Sequence, residues 1–118
     1  MATNGVAVLA VDVAERVNRI RDAETELRAM LLNTEPSFAS IVESTIAAAQ
    51  EFMTPEILKR VKEAPEKARK TKKADLRERL LSYANSWVSW SSGYLDALSQ
   101  LRDLAVQARI DSRVALTI

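Results

Sequence analysis

Leu80, Trp87, Tyr94, Leu101 and Ala108 recur at intervals of seven, and Leu76, Tyr83 or Ala84, Leu98 and Ala105 fill the alternate positions of the same seam. A repeat kept over about five heptads marks a long α-helix with one side covered by other helices. The pattern weakens around Ser91, but its phase survives Ser91-Ser92-Gly93, so the helix is expected to run through Gly93. A 118-residue chain committed to one such helix is confined to all-α architectures. The expected fold is an elongated helical bundle forming a single domain, 1–118. Two long helices, about 4–32 and 74–110, enclose two shorter ones.

The same stretch holds most of the aromatic residues. Tyr83, Trp87, Trp90 and Tyr94 follow one another at steps of four, three and four, which places them on one side of the helix. Ser82, Ser86, Ser89 and Gly93 repeat those steps about 100° further round. A ridge of large flat side chains therefore lies beside a strip of small ones. Three readings stay open: the ridge is the core of a monomeric bundle, a contact surface for a second chain, or a small-molecule cage, the last disfavoured because no convergent polar group is marked. Trp90 lies at the edge of a seam centred on Trp87 and is the candidate to leave the monomer core.

Upstream, Val6, Leu9, Val13, Val17, Ile20, Ala23, Leu27, Met30 and Leu31 form the apolar stripe of a first helix, with Asn4 as its N-cap. Asp12–Arg16, Glu15–Arg19 and Glu24–Arg28 are spaced as i,i+4 ion pairs. Asn33-Thr34-Glu35-Pro36 predicts a break, with Asn33 left-handed at the helix end and Pro36 in the next first turn. Phe38, Ile41, Val42, Thr45, Ile46, Ala49, Phe52 and Met53 form a second amphipathic helix. Thr54-Pro55-Glu56 starts a third, which is expected to end or kink at Pro65. The connecting segment 65–73 has no large apolar residue in EKARKTKK and is expected to stay outside the core. Val114, Leu116 and Ile118 alternate, which suggests an extended tail.

Charge is unevenly spread. The total is +1, yet residues 1–58 carry four basic and nine acidic groups, while 59–79 carry ten basic and four acidic. Lys67, Arg69, Lys70, Lys72, Lys73 and Arg77 are candidate phosphate contacts, though the aromatics follow this run instead of interleaving with it, as base stacking would need.

The chain has no Cys and no His. That removes thiolate and imidazole metal ligands, disulfides, and the commonest general base. With only Gly5 and Gly93, no phosphate-cradling glycine loop exists. No catalytic, cofactor-binding or metal residues are therefore assigned. No signal peptide or membrane span is legible, and the expected location is cytoplasmic.

These features predict a non-enzymatic assembly protein. It is expected to form a homo-oligomer, in the first instance a dimer, or to bind a partner helix through Tyr83, Trp87, Trp90, Tyr94, Leu98 and Leu101. One alternative is a nucleic-acid-binding module using the basic segment 59–79. Another is a small helical chaperone or inhibitor that binds a basic protein.

Overall fold

The computed structural model describes the backbone of residues 2–117 and the side chains of 13–32 and 34–109. Four α-helices follow in order: α1 (Ala2–Met30), α2 (Pro36–Gln50), α3 (Pro55–Lys70) and α4 (Ala74–Thr117). A 3₁₀ turn, Leu31–Asn33, closes α1. The fold is an elongated all-α bundle measuring 69 × 25 × 18 Å.

Cross-helix pairs fix the directions. Arg28 meets Glu43 and Arg21 meets Gln50, so α2 runs antiparallel to α1. Arg16 reaches Ser92 and Glu26 meets Arg102, so α4 runs parallel to α1. α2 and α3 thus form one descending column broken at Thr54, flanked by two ascending helices.

The core follows the middle of the predicted seams, whereas Leu76 and Ala108 at the two ends of the α4 seam are exposed, since no other helix covers them. Ile20, Leu27, Val42, Ile46, Ala49, Met53, Tyr94, Leu98 and Ala105 form one buried cluster. Val13, Val61, Ala64, Ala84 and Trp87 form a second, towards α3. Ala84, not Tyr83, occupies the ambiguous seam position.

Several boundaries differ from the sequence reading. α1 begins at Ala2, so Asn4 lies inside it; the Asn4 side chain is outside the described residues. Among the described residues no non-glycine has a positive φ, so Asn33 is not a left-handed cap. The end of α1 tightens into a 3₁₀ turn instead, and the backbone N–H and hydroxyl of Thr34 both donate to the Leu31 carbonyl. Pro36 takes the expected first turn of α2.

α3 does not end at Pro65 but continues to Lys70. An interior proline costs about 3 kcal/mol through its missing N–H and its clash with the preceding turn. Here the ring is buried, as are Ala64 and Ala68 beside it, and packing holds the helix across the break. The connection between α3 and α4 shrinks from 65–73 to Thr71–Lys73. α4 is likewise longer than predicted and stays helical to Thr117, where an extended tail was expected. The period-2 signal in the last residues is too short to compete with continuation of a 44-residue helix.

Candidate interaction surfaces

The aromatic ridge sits where the middle column breaks. After Gln50 the chain unwinds through three short-range bonds, from the Glu51, Phe52 and Met53 amides, before Thr54 caps α3 by accepting from the Ile57 amide. This leaves the Phe52 carbonyl in need of a donor, and Trp87 Nε1 supplies it at 2.9 Å. Phe52, Trp90 and Tyr94 form a row of rings: Trp90 stacks on Tyr94 with centroids 5.4 Å apart, Phe52 lies tilted 5.0 Å from Trp90, and Trp87 lies 6.0 Å from Trp90. The break in α2–α3 opens a gap wide enough for large rings, and α4 fills it.

The six residues expected at an interface consequently divide. Trp87, Tyr94 and Leu98 are buried among the chain's own helices. Trp90 and Leu101 are half-buried and pack against the core clusters. Only Tyr83 is exposed. A side chain already covered by α1 and α2 has little surface left to offer, so the ridge acts chiefly as internal packing.

Beside the ridge lies a polar network that the sequence did not reveal. Glu24 is 3% exposed. Its carboxylate accepts from the Tyr94 hydroxyl at 2.7 Å, from Gln50 Nε2 at 3.0 Å and from Arg21 at 3.1 Å. The expected Glu24–Arg28 pair does not form, because Arg28 turns to Glu43. Glu15–Arg19 does form, at 2.9 Å. Arg16 donates to Ser91 and Ser92, while its expected partner Asp12 has its side chain outside the described residues. Among the described residues no buried side-chain polar atom lacks a partner, so the network is structurally complete. Burial, followed by the hydrogen bond to the Glu24 carboxylate, pushes the Tyr94 hydroxyl well above the ordinary tyrosine range.

The basic candidates are partly engaged within α3. Lys67 pairs with Glu63, and Arg69 and Lys70 both pair with Glu66. The Arg69 guanidinium holds the Glu66 carboxyl below its usual range. Arg77 donates to the Thr71 carbonyl. Lys72 and Lys73 project from the α3–α4 turn. Two open depressions nearby are lined by Asp75, Glu78, Arg79 and Ser82, and by Lys73, Ala74 and Leu76 with Asp75 and Arg79.

Large apolar side chains remain in water elsewhere. Ile41 is 58% exposed, Leu104 57% and Phe52 47%. Arg102 turns towards α1, so Leu101 and Leu104, across the buried row Leu98–Ala105, face α2. Glu43 and Gln50 turn towards α1, so Phe38 and Ile41, across the row Val42–Ile46, face α4. Ile41 and Leu104 are therefore both exposed on the sides of α2 and α4 that are turned towards each other. Ile41 falls in the apolar stripe predicted for the second helix, whereas Leu104 lies outside the heptad seam of Leu98, Leu101, Ala105 and Ala108.

Among the described residues no group of three or more His, Cys, Asp or Glu could hold a metal ion. No described helix is long and apolar enough to cross a membrane. No family model, curated protein or solved structure matches the chain.

Proposed function

We propose that the protein is a non-enzymatic assembly module that associates with another helical chain along the outward side of α4. The observation that carries this reading is the exposure of Ile41 on α2 and Leu104 on α4, each on the side turned towards the other helix. Exposed single apolar residues are ordinary, but two large ones on neighbouring helices add to a receptive apolar surface. Tyr83, Trp90 and Leu101 from the predicted set lie along the same flank of α4 and supply its edge. Trp87, Tyr94 and Leu98 serve from inside, holding that helix rigid.

Solution mass by size-exclusion chromatography with light scattering, over a range of concentrations, tests the self-association form of this reading. A mass at a stable multiple of 13.1 kDa is expected. Leu104→Asp should shift it towards the single chain. A wild-type monomer at every concentration overturns self-association and leaves only an unlike partner.

Nucleic-acid binding is the weaker reading. Of the six candidate phosphate contacts, Lys67, Arg69 and Lys70 already have carboxylate partners one turn away.

A further inference from the structure

We propose that the α3–α4 hairpin binds single-stranded nucleic acid, with Tyr83 as a stacking platform and Arg60, Lys72, Lys73 and Arg79 as phosphate contacts. This goes beyond the assembly reading and does not rest on it. Ile41 and Leu104, which carry that reading, lie towards the other end of the rod, level with Arg28 and Glu26 of α1. Tyr83 is the one residue the two surfaces share.

Along the chain the aromatics follow the basic run, but the hairpin brings one of them back to it. α3 and α4 are joined by the short turn Thr71–Lys73 and run antiparallel. Val61 and Ala84, nearly equidistant from that turn, share a buried cluster. Arg60 and Tyr83, the residues just before them, therefore lie near one level of the hairpin.

They also share a side. In α2, Ile41 just before the buried Val42 turns towards α4, and Glu43 just after it turns to Arg28 of α1. α3 continues that column in the same direction. The same helical phase turns Arg60 and Lys67, just before Val61 and Ala68, towards α4, and Lys62 and Arg69 towards α1. On α4, Trp90 just before the buried Ser91 lies against Phe52 of the column, while Ser92 just after it meets Arg16 of α1. Tyr83, just before Ala84, is on the column side by the same phase, beside α3.

Tyr83 is available there. It is 40% exposed and, among the described residues, makes no ring contact and no side-chain hydrogen bond, unlike Trp87 and Tyr94. Arg79, one turn before it, lines an open depression with Lys73 and Leu76. Arg60, Lys72, Lys73 and Arg79 are all exposed and form no ion pair among the described residues. Of the carboxylates on this side, Glu63 is neutralised by Lys67, and Glu56 and Asp75 stand towards its two ends. A flat ring among unpaired cations suits a base and its neighbouring phosphates, and stacking accepts any base. An acidic protein surface would need the cations alone.

Fluorescence anisotropy of a labelled oligodeoxythymidylate, titrated with the full chain, tests this. Binding is expected at low salt, its logarithm falling with log salt at a slope of about −3, from roughly 0.7 for each phosphate the four cations neutralise. Tyr83→Ala should weaken binding about tenfold at unchanged slope, and Tyr83→Phe, which keeps the ring, should retain it. Arg79→Ala should reduce the slope by about 0.7. Lys62→Ala removes an exposed cation on the α1 side and should leave affinity and slope close to wild type. No binding at low salt overturns the proposal, as does equal affinity for polyglutamate, which has the charge without the bases. Tyr83→Ala binding as tightly as wild type, or Lys62→Ala losing as much as Arg79→Ala, overturns it too. The assembly state enters none of these outcomes, so the assembly reading stands or falls separately.

Discussion

The Tyr94 hydroxyl donates to Glu24 Oε2 at 2.7 Å, joining α4 to α1 inside the bundle. Both residues are at most 7% exposed, so water cannot replace the bond if it is lost. Tyr94→Phe removes one donor from a buried carboxylate and keeps the ring. The expected cost is about 1–3 kcal/mol, the range for orphaning a buried polar partner. Urea denaturation should show a lower midpoint at unchanged slope. An unchanged midpoint would mean that Gln50 and Arg21 alone satisfy Glu24.

Alkaline pH should weaken the fold through the same hydroxyl. Burial and the Glu24 hydrogen bond raise the Tyr94 pKa above the value of about 10 expected in the unfolded chain. Below that value both states keep the proton and stability is unaffected. Above it the unfolded chain loses its proton first, so stability falls as pH rises from about 10. Tyr94→Phe should show a flatter stability profile in that range; parallel profiles for the two chains would refute the assignment.

Trp87 and Trp90 should behave as core residues. Trp87→Phe strips the donor from the Phe52 carbonyl at the α2–α3 break and is expected to cost about 1–2 kcal/mol. Trp90→Ala removes the central ring of the stack, for which about 3 kcal/mol is expected. Thermal unfolding followed by circular dichroism measures both. A Trp90→Ala chain as stable as wild type would return that side chain to the surface.

Gly93→Ala should stabilise the single chain. A mid-helix glycine costs roughly 0.5–1 kcal/mol relative to alanine, and the added Cβ meets no neighbour in the chain itself. Urea unfolding of dilute protein should therefore move to higher midpoint. Unfolding at lower urea than wild type would show that the glycine serves the monomer.

Fold class, helix number and the buried rows were legible because each is local. Apolar spacing in α1 and α4 states which side is covered, and Thr54-Pro55 and Pro36 mark helix starts by bonds and dihedrals set within a few residues. What tertiary structure decided was everything that depends on who covers whom. Pro65 remains helical because its ring is buried, a fact about neighbours that outweighs a local penalty of about 3 kcal/mol. Glu24 reads as a surface ion-pair partner in sequence, yet Tyr94, seventy residues away, draws it inside. The aromatic ridge reads equally as core or contact, and the break at Phe52 opens the space that takes the rings inward. Periodicity fixes the side of a helix that is buried; only packing fixes whether the cover comes from the same chain.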